Sequence, residues 1–188
     1  VTNYYTKIEA LKLAVASLAG QLNTADPDST YVRTGSVSYN DKMQTAQPLD
    51  WGTAKVVSYV NALTASGRTD SSAAFKKAYD SLVDQKEDKA HQDKTGQTPT
   101  KYIVFMTDGD NNVASADTDT KKYCDKARDQ KIQVYTVALM APAGGKALLN
   151  YCATTSAHYF AAENMTALLN AFKSIGAKAA NQVTRLIN

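Results

Sequence analysis

Lys101–Asn112, KYIVFMTDGDNN, is the stretch from which the fold of this chain can be read. Tyr102 to Met106 form an unbroken apolar run rich in β-branched and aromatic side chains, the pattern of a strand buried on both faces of a parallel sheet. It leads directly into Thr107-Asp108-Gly109-Asp110-Asn111-Asn112, a polar turn dense in oxygen ligands. In open α/β sheets, binding sites gather beyond the carboxyl ends of the central strands. The acidic turn is therefore the expected working edge of the molecule.

Downstream, the chain alternates. Lys121–Gln130 is expected to be helical after a loop over 114–120, and Ile132–Met140 (IQVYTVALM) reads as a second buried strand. Pro142–Gly145 turns into a helix over 146–154, His158-Tyr159-Phe160 is a short strand, and Met165–Ile187 forms a last helix burying Leu168, Leu169, Phe172, Ile175, Val183 and Leu186. Strand and helix in alternation imply an α/β fold with a mainly parallel sheet and helices on both faces.

Upstream, Ile8, Leu11, Val15, Leu18 and Leu22 recur at helical spacing, predicting a helix over 5–22 that Gly20 and Asp26-Pro27-Asp28 bring to an end. Tyr31–Tyr39 alternates like a strand and pairs with a weaker one over 43–48 as a hairpin. Trp51–Thr64 reads as a short helix. Asp70 or Ser71 caps another over 72–85. The charged stretch 86–100, with Gly96 and Pro99, is expected to be an exposed, mobile loop.

The 188 residues suit one domain with a real core, and the charge of +3 is scattered rather than blocked, which argues against nucleic acid as a partner. No apolar run reaches the roughly 20 residues of a membrane span. Asp108, Asp110 and Asn112 spell D-x-D-x-N, but Val113 stands where a calcium loop needs glycine and no glutamate closes the pattern. Asx-type turns account for Asp110 and Asn112. His91 and His158 have no serine, cysteine or zinc motif beside them, so nucleophilic or zinc chemistry has no support. Cys124 and Cys152, the only cysteines, could be two buried thiols or a disulfide.

Taken together, YIVFMTDGDNN (102–112), Cys124 with KIQVYTVAL (131–139), LLNYCATTSAHYFAAENMTALLNAF (148–172) and VNALTASGRTD (60–70) resemble a von Willebrand factor A (vWA) domain. More narrowly, they look like the vWA-like region of TadE/TadG-type proteins of bacterial Tad/Flp pilus assembly. The resemblance implies a non-enzymatic, protein-binding domain in the extracytoplasmic space, on a parent anchored to the membrane by a segment outside this sequence. It implies a divalent cation, usually Mg²⁺, held by Thr69 and Asp108, with Asp70, Asp110 and Asn112 in the protein-binding loops. It also tilts Cys124 and Cys152 towards a disulfide.

The departure from the family is the DxSxS ligand sequence, which occurs nowhere in the chain. The expected sheet therefore lacks its first central strand, and residues 1–188 are expected to be one vWA-like domain within a longer protein, with a metal site weak or empty in this chain. Three rivals accompany this reading. They are a general adhesin using the same face, a metal-dependent phosphate-handling hydrolase built on Asp108 and Asp110, and a structural spacer with a degenerate metal site.

Overall fold

The computed structural model describes residues 5–187, with side chains through Thr184. The chain divides into two compact, interleaved units: 1–36, 47–65 and 162–188 form one, and 37–46 with 66–161 form the other.

In the first unit, α1 (Lys7–Ala25) packs along α7 (Met165–Ile187). A reciprocal box starts α1: Thr6 Oγ1 accepts from Glu9 N–H, and the Glu9 carboxylate accepts from Thr6 N–H at 2.7 Å. Gly20 does not end this helix, which runs on to Ala25, because a single exposed glycine costs a helix only about 1 kcal/mol. Its most buried positions are Ala10, Ala14 and Ala19 rather than the leucines. Leu168, Ala171, Phe172, Ile175 and Val183 supply the buried side of α7, while Leu169 is only half-buried and the side chain of Leu186 lies outside the described residues. At the crossing, Gly176 admits Gln21 and Leu18, whose atoms would stand 2.6 and 3.0 Å from any added Cβ.

The expected hairpin exists but is shifted. β1 (Arg33–Ser36) pairs antiparallel with β2 (Gln47–Trp51), with an irregularity between Thr34 and Ser36. The turn before it is fixed by the buried Asp26, whose carboxylate accepts the backbone N–H groups of Thr30, Tyr31 and Val32 at 2.8–2.9 Å. α2 (Ala54–Asn61) follows and packs on both strands and on α1.

The second unit carries the strand–helix alternation. β3 (Tyr102–Thr107), β4 (Gln133–Leu139) and β5 (Tyr159–Ala162) form a three-stranded sheet in that order, β3 and β4 parallel and in register from Tyr102↔Gln133 to Thr107↔Ala138. Val134 to Leu139 are all no more than 2 % exposed, so β4 is covered on both faces. α3 (Ser72–Val83), α5 (Ala116–Asp129) and α6 (Ala143–Cys152) close around a core that includes Phe75, Ile103, Phe105, Ile132, Val134 and Leu149. Phe75 meets Phe105 edge-on, ring centres 5.1 Å apart. Cys124 on α5 and Cys152 on α6 form a fully buried disulfide.

Two expectations are corrected here. Residues 86–100 are a loop only from Gly96 on: Gln85–Thr95 is a helix, α4, capped by Asp84 at its start and by Gly96 in the left-handed region (φ 70°) at its end. Lys89 pairs with Asp93 one turn on, Lys101 binds Asp88 at 2.7 Å, and His91 is buried rather than exposed. The stretch 114–120 is likewise helical from Ala116, where Asp117 and Asp119 lie favourably in the first turn of α5.

Candidate functional site

β3 delivers Thr107 and Asp108 to the carboxyl end of the three-stranded sheet. The Thr107 hydroxyl closes the turn, donating to Gly109 O at 3.2 Å and accepting from Gly109 N–H at 3.3 Å. Asp108 then projects as an exposed carboxylate. Thr69 comes to the same turn from the loop before α3: a Cβ on Gly109 would sit 3.2 Å from Thr69 Oγ1. The two residues assigned to the cation thus lie on adjoining loops.

The other sequence-assigned residues fix the loops to one another. Asn112 exchanges two hydrogen bonds with Thr69, its N–H donating to Thr69 O at 2.8 Å and its Oδ1 accepting from Thr69 N–H at 2.9 Å. Asp70 stands just before Ser71, the N-cap residue of α3, and accepts from Ser72 N–H and Oγ–H at 3.0 and 2.6 Å. Asp110 reaches the start of α6, where Gly145 N–H donates to Oδ1, placing negative charge at the positive end of the helix. The glycine pair before Lys146 makes this approach possible, since a Cβ on Gly144 would stand 2.8 Å from Asp110 Oδ1 and one on Gly145 only 2.5 Å from Gly109 O.

Asn111, Thr120 and Tyr39 were not anticipated from the sequence. Asn111 accepts from Ser71 N–H at 2.9 Å and donates to Ser71 Oγ at 3.0 Å and to Asp117 at 2.8 Å. Ser71 in turn meets the buried Thr120 hydroxyl at 3.0 Å. Tyr39 donates its phenol proton to Met106 O at 2.6 Å. Burial pushes its pKa well above the usual phenol range; a hydrogen bond with Thr107 opposes the shift, and the Asp108 charge adds to it. The doubled asparagine was the only visible signal for Asn111, and nothing local marked Tyr39.

The Tyr39 contact also reports on the sheet edge. Gln133 N–H donates to Lys101 O, and backbone groups alternate sides along a strand, so those of Tyr102, Val104 and Met106 point away from β4. Among the described residues β4 is the one ladder partner of β3, and that outer edge carries no second strand.

The residues present do not by themselves fit a metal. Thr69 and Asp108 offer two hard oxygens, whereas Mg²⁺ prefers octahedral coordination with its protein ligands precisely placed around retained water. Among the described residues no three His, Cys, Asp or Glu side chains converge as a ligand set. What the edge provides unaided is an acidic surface on loops tied by hydrogen bonds.

The family model described as von Willebrand factor type A domain matches residues 4–174. No curated protein matches the sequence. Among solved structures, the pilus adhesin SpaC from Lactobacillus rhamnosus GG superposes with a TM-score of 0.74 at 11% identity over 94% of this chain and 28% of that one. The vWF domain of the type V pili tip protein Mfa5 from Porphyromonas gingivalis gives 0.70 at 14% identity, over 94% and 90%. Proximal thread matrix protein 1 of the mussel byssus, with a zinc-occupied MIDAS motif, gives 0.69 at 15% identity, over 91% and 40%. At such identities the likeness is one of fold, and the chain spans under a third of the length of SpaC.

Proposed function

The chain belongs to the von Willebrand factor type A domain family, and on that premise we propose that it is a non-enzymatic protein-binding domain of an envelope-anchored component of a bacterial Tad/Flp pilus-assembly system. The observation that carries this reading is the approach of the Thr69 hydroxyl to Gly109, the residue after Asp108, at the carboxyl end of β3, on loops tied together by Asn111 and Asn112. A preformed edge of that kind binds without an ordering cost. The buried Cys124–Cys152 disulfide and the pilus proteins among the structural neighbours support an extracytoplasmic location. No described helix is long and apolar enough to cross a membrane, and the proposed anchor belongs to another part of the parent protein.

In this proposal a strand carrying DxSxS, a sequence this chain does not contain, pairs along the open edge of β3 and completes a Mg²⁺ site with Thr69 and Asp108. A cation there would offer an open position to a carboxylate of the partner. The two-oxygen donor set favours a second reading, a spacer domain with a degenerate site.

Photo-cross-linking from position 114, beside this edge, in the native cell envelope tests the proposal. The expected adduct is a pilus-assembly component, diminished by Asp108→Ala. Adducts with host matrix protein would make the domain an adhesin, and no adduct at all would favour the spacer. Calorimetric titration with Mg²⁺ completes the test: tight binding by the parent protein but not by residues 1–188 is expected, and equal binding by both would refute the missing-strand reading.

A further inference from the structure

Six large apolar side chains are exposed among the described residues, and three of them, Met43 (37%), Val113 (46%) and Met140 (42%), lie in loops of the edge just described. Hydrogen bonds join those loops in sequence. Asp70 N–H donates to Asn40 O at 2.7 Å, tying the Met43 turn to the Thr69 loop. Asn112 N–H ties that loop to the segment leading into Val113. Asp110 binds Gly145, in the helix start that follows Met140. The three side chains therefore belong to one tied set of loops together with Asp108.

The charge of the edge limits what can use it. Asp41, Asp70, Asp108 and Asp110, with Asp117 and Asp119 at the start of α5, outnumber Lys42, Arg68 and Lys146, leaving −3 here against +3 for the whole chain. A polyanion such as nucleic acid or an acidic membrane surface would be repelled. Exposed apolar side chains on loops that also carry charge suit a protein partner, and methionine adapts to the shape it meets.

We infer that this edge docks a basic protein segment directly, its lysines or arginines against the aspartates and its aliphatic or aromatic side chains against the exposed Met43, Val113 and Met140. The inference rests on the protein-binding reading and names the partner's chemistry. It differs from attachment through a bridging cation, which selects a carboxylate.

The test is an NMR titration of ¹⁵N-labelled chain with three synthetic peptides: alternating Lys and Leu, alternating Glu and Leu, and alternating Lys and Ser, each with and without Mg²⁺. The Lys–Leu peptide is expected to shift amides in 39–43, 67–70, 108–114 and 140–145, the Lys–Ser peptide far less. Affinity is expected to fall about tenfold in the triple variant Met43→Ser, Val113→Ser, Met140→Ser, and to weaken between about 50 and about 300 mM salt. All three sites are exposed, and an unchanged melting temperature would show the variant folded. Equal shifts from all three peptides, shifts elsewhere, or none overturn the inference. Binding of the Glu–Leu peptide alone, dependent on Mg²⁺, also overturns it while leaving the protein-binding reading in place.

Discussion

Asn112 and Thr69 hold one another through two hydrogen bonds, one from each backbone N–H, although they stand 43 positions apart in the chain. One acceptor is the Thr69 carbonyl and the other the Asn112 side chain, so a substitution can remove the second bond alone. Asn112→Ala should cost about 1 kcal/mol, the net worth of one such bond. Urea unfolding measures that loss, and amide exchange at Thr69 should quicken about fivefold if opening is local. Asn112→Asp keeps an acceptor in place and should retain most of the stability. If Asn112→Ala matches the unaltered chain in both measurements, the loops are not held by this pair.

Thr136 lies in β4 with no exposed surface, and its hydroxyl has no hydrogen-bond partner. Its ladder partner is Phe105, in the core that Phe75 and Ile103 help to form. An unsatisfied buried hydroxyl carries its desolvation cost without return. Thr136→Val keeps the branched shape and should raise stability by roughly 1–2 kcal/mol. A fall in the denaturation midpoint would mean that the hydroxyl is satisfied in solution.

Unbroken apolar runs were enough to place β3 and β4, and apolar residues at helical spacing to place α7, because these side chains face a core and the sequence records it. α4 was missed for the opposite reason. It has few apolar residues, and its helical state rests on Asp84, Gly96 and the Lys89–Asp93 pair, signals that lie at the ends and on the surface. The early start of α5 was hidden in the same way behind Asp117 and Asp119. At the site, Thr69 and Asp108 could be named from family likeness, whereas Asn111 and Tyr39 could not. Their roles depend on partners at Ser71 and Met106, set beside them only by the fold.

Two glycines should respond to alanine in opposite directions. Gly145→Ala would put a Cβ 2.5 Å from the Gly109 carbonyl oxygen, a backbone atom that cannot move without shifting the Asp108 turn. A loss of about 1–3 kcal/mol is expected, with amide shifts over 108–111. Gly20, exposed within α1, has nothing within 4 Å of an added Cβ. Gly20→Ala should stabilise by about 0.5–1 kcal/mol through the helix backbone alone. Thermal melts of the two variants decide both signs, and a neutral Gly145→Ala would show that α6 and the acidic turn are not in close contact.

The first turn of α1 should loosen in acid, because the Glu9 carboxylate is half of its cap. Its Oε2 accepts the Thr6 backbone N–H and the Thr6 hydroxyl, both at 2.7 Å, and in that order these bonds hold its pKa below the ordinary 4.5. A depressed carboxylate pKa means that the unfolded chain takes up the proton first. The stabilisation is therefore complete above pH 4.5 and disappears as pH falls through the lower, folded value. Carboxyl ¹³C shifts of Glu9 should give a midpoint below 4.5, and the amides of Glu9 and Ala10 should exchange faster across the same range. Glu9→Gln keeps an acceptor that does not titrate, so its first turn should lose this dependence on pH. A midpoint at or above 4.5 in the unaltered chain would mean that Thr6 does not donate to this carboxylate in solution.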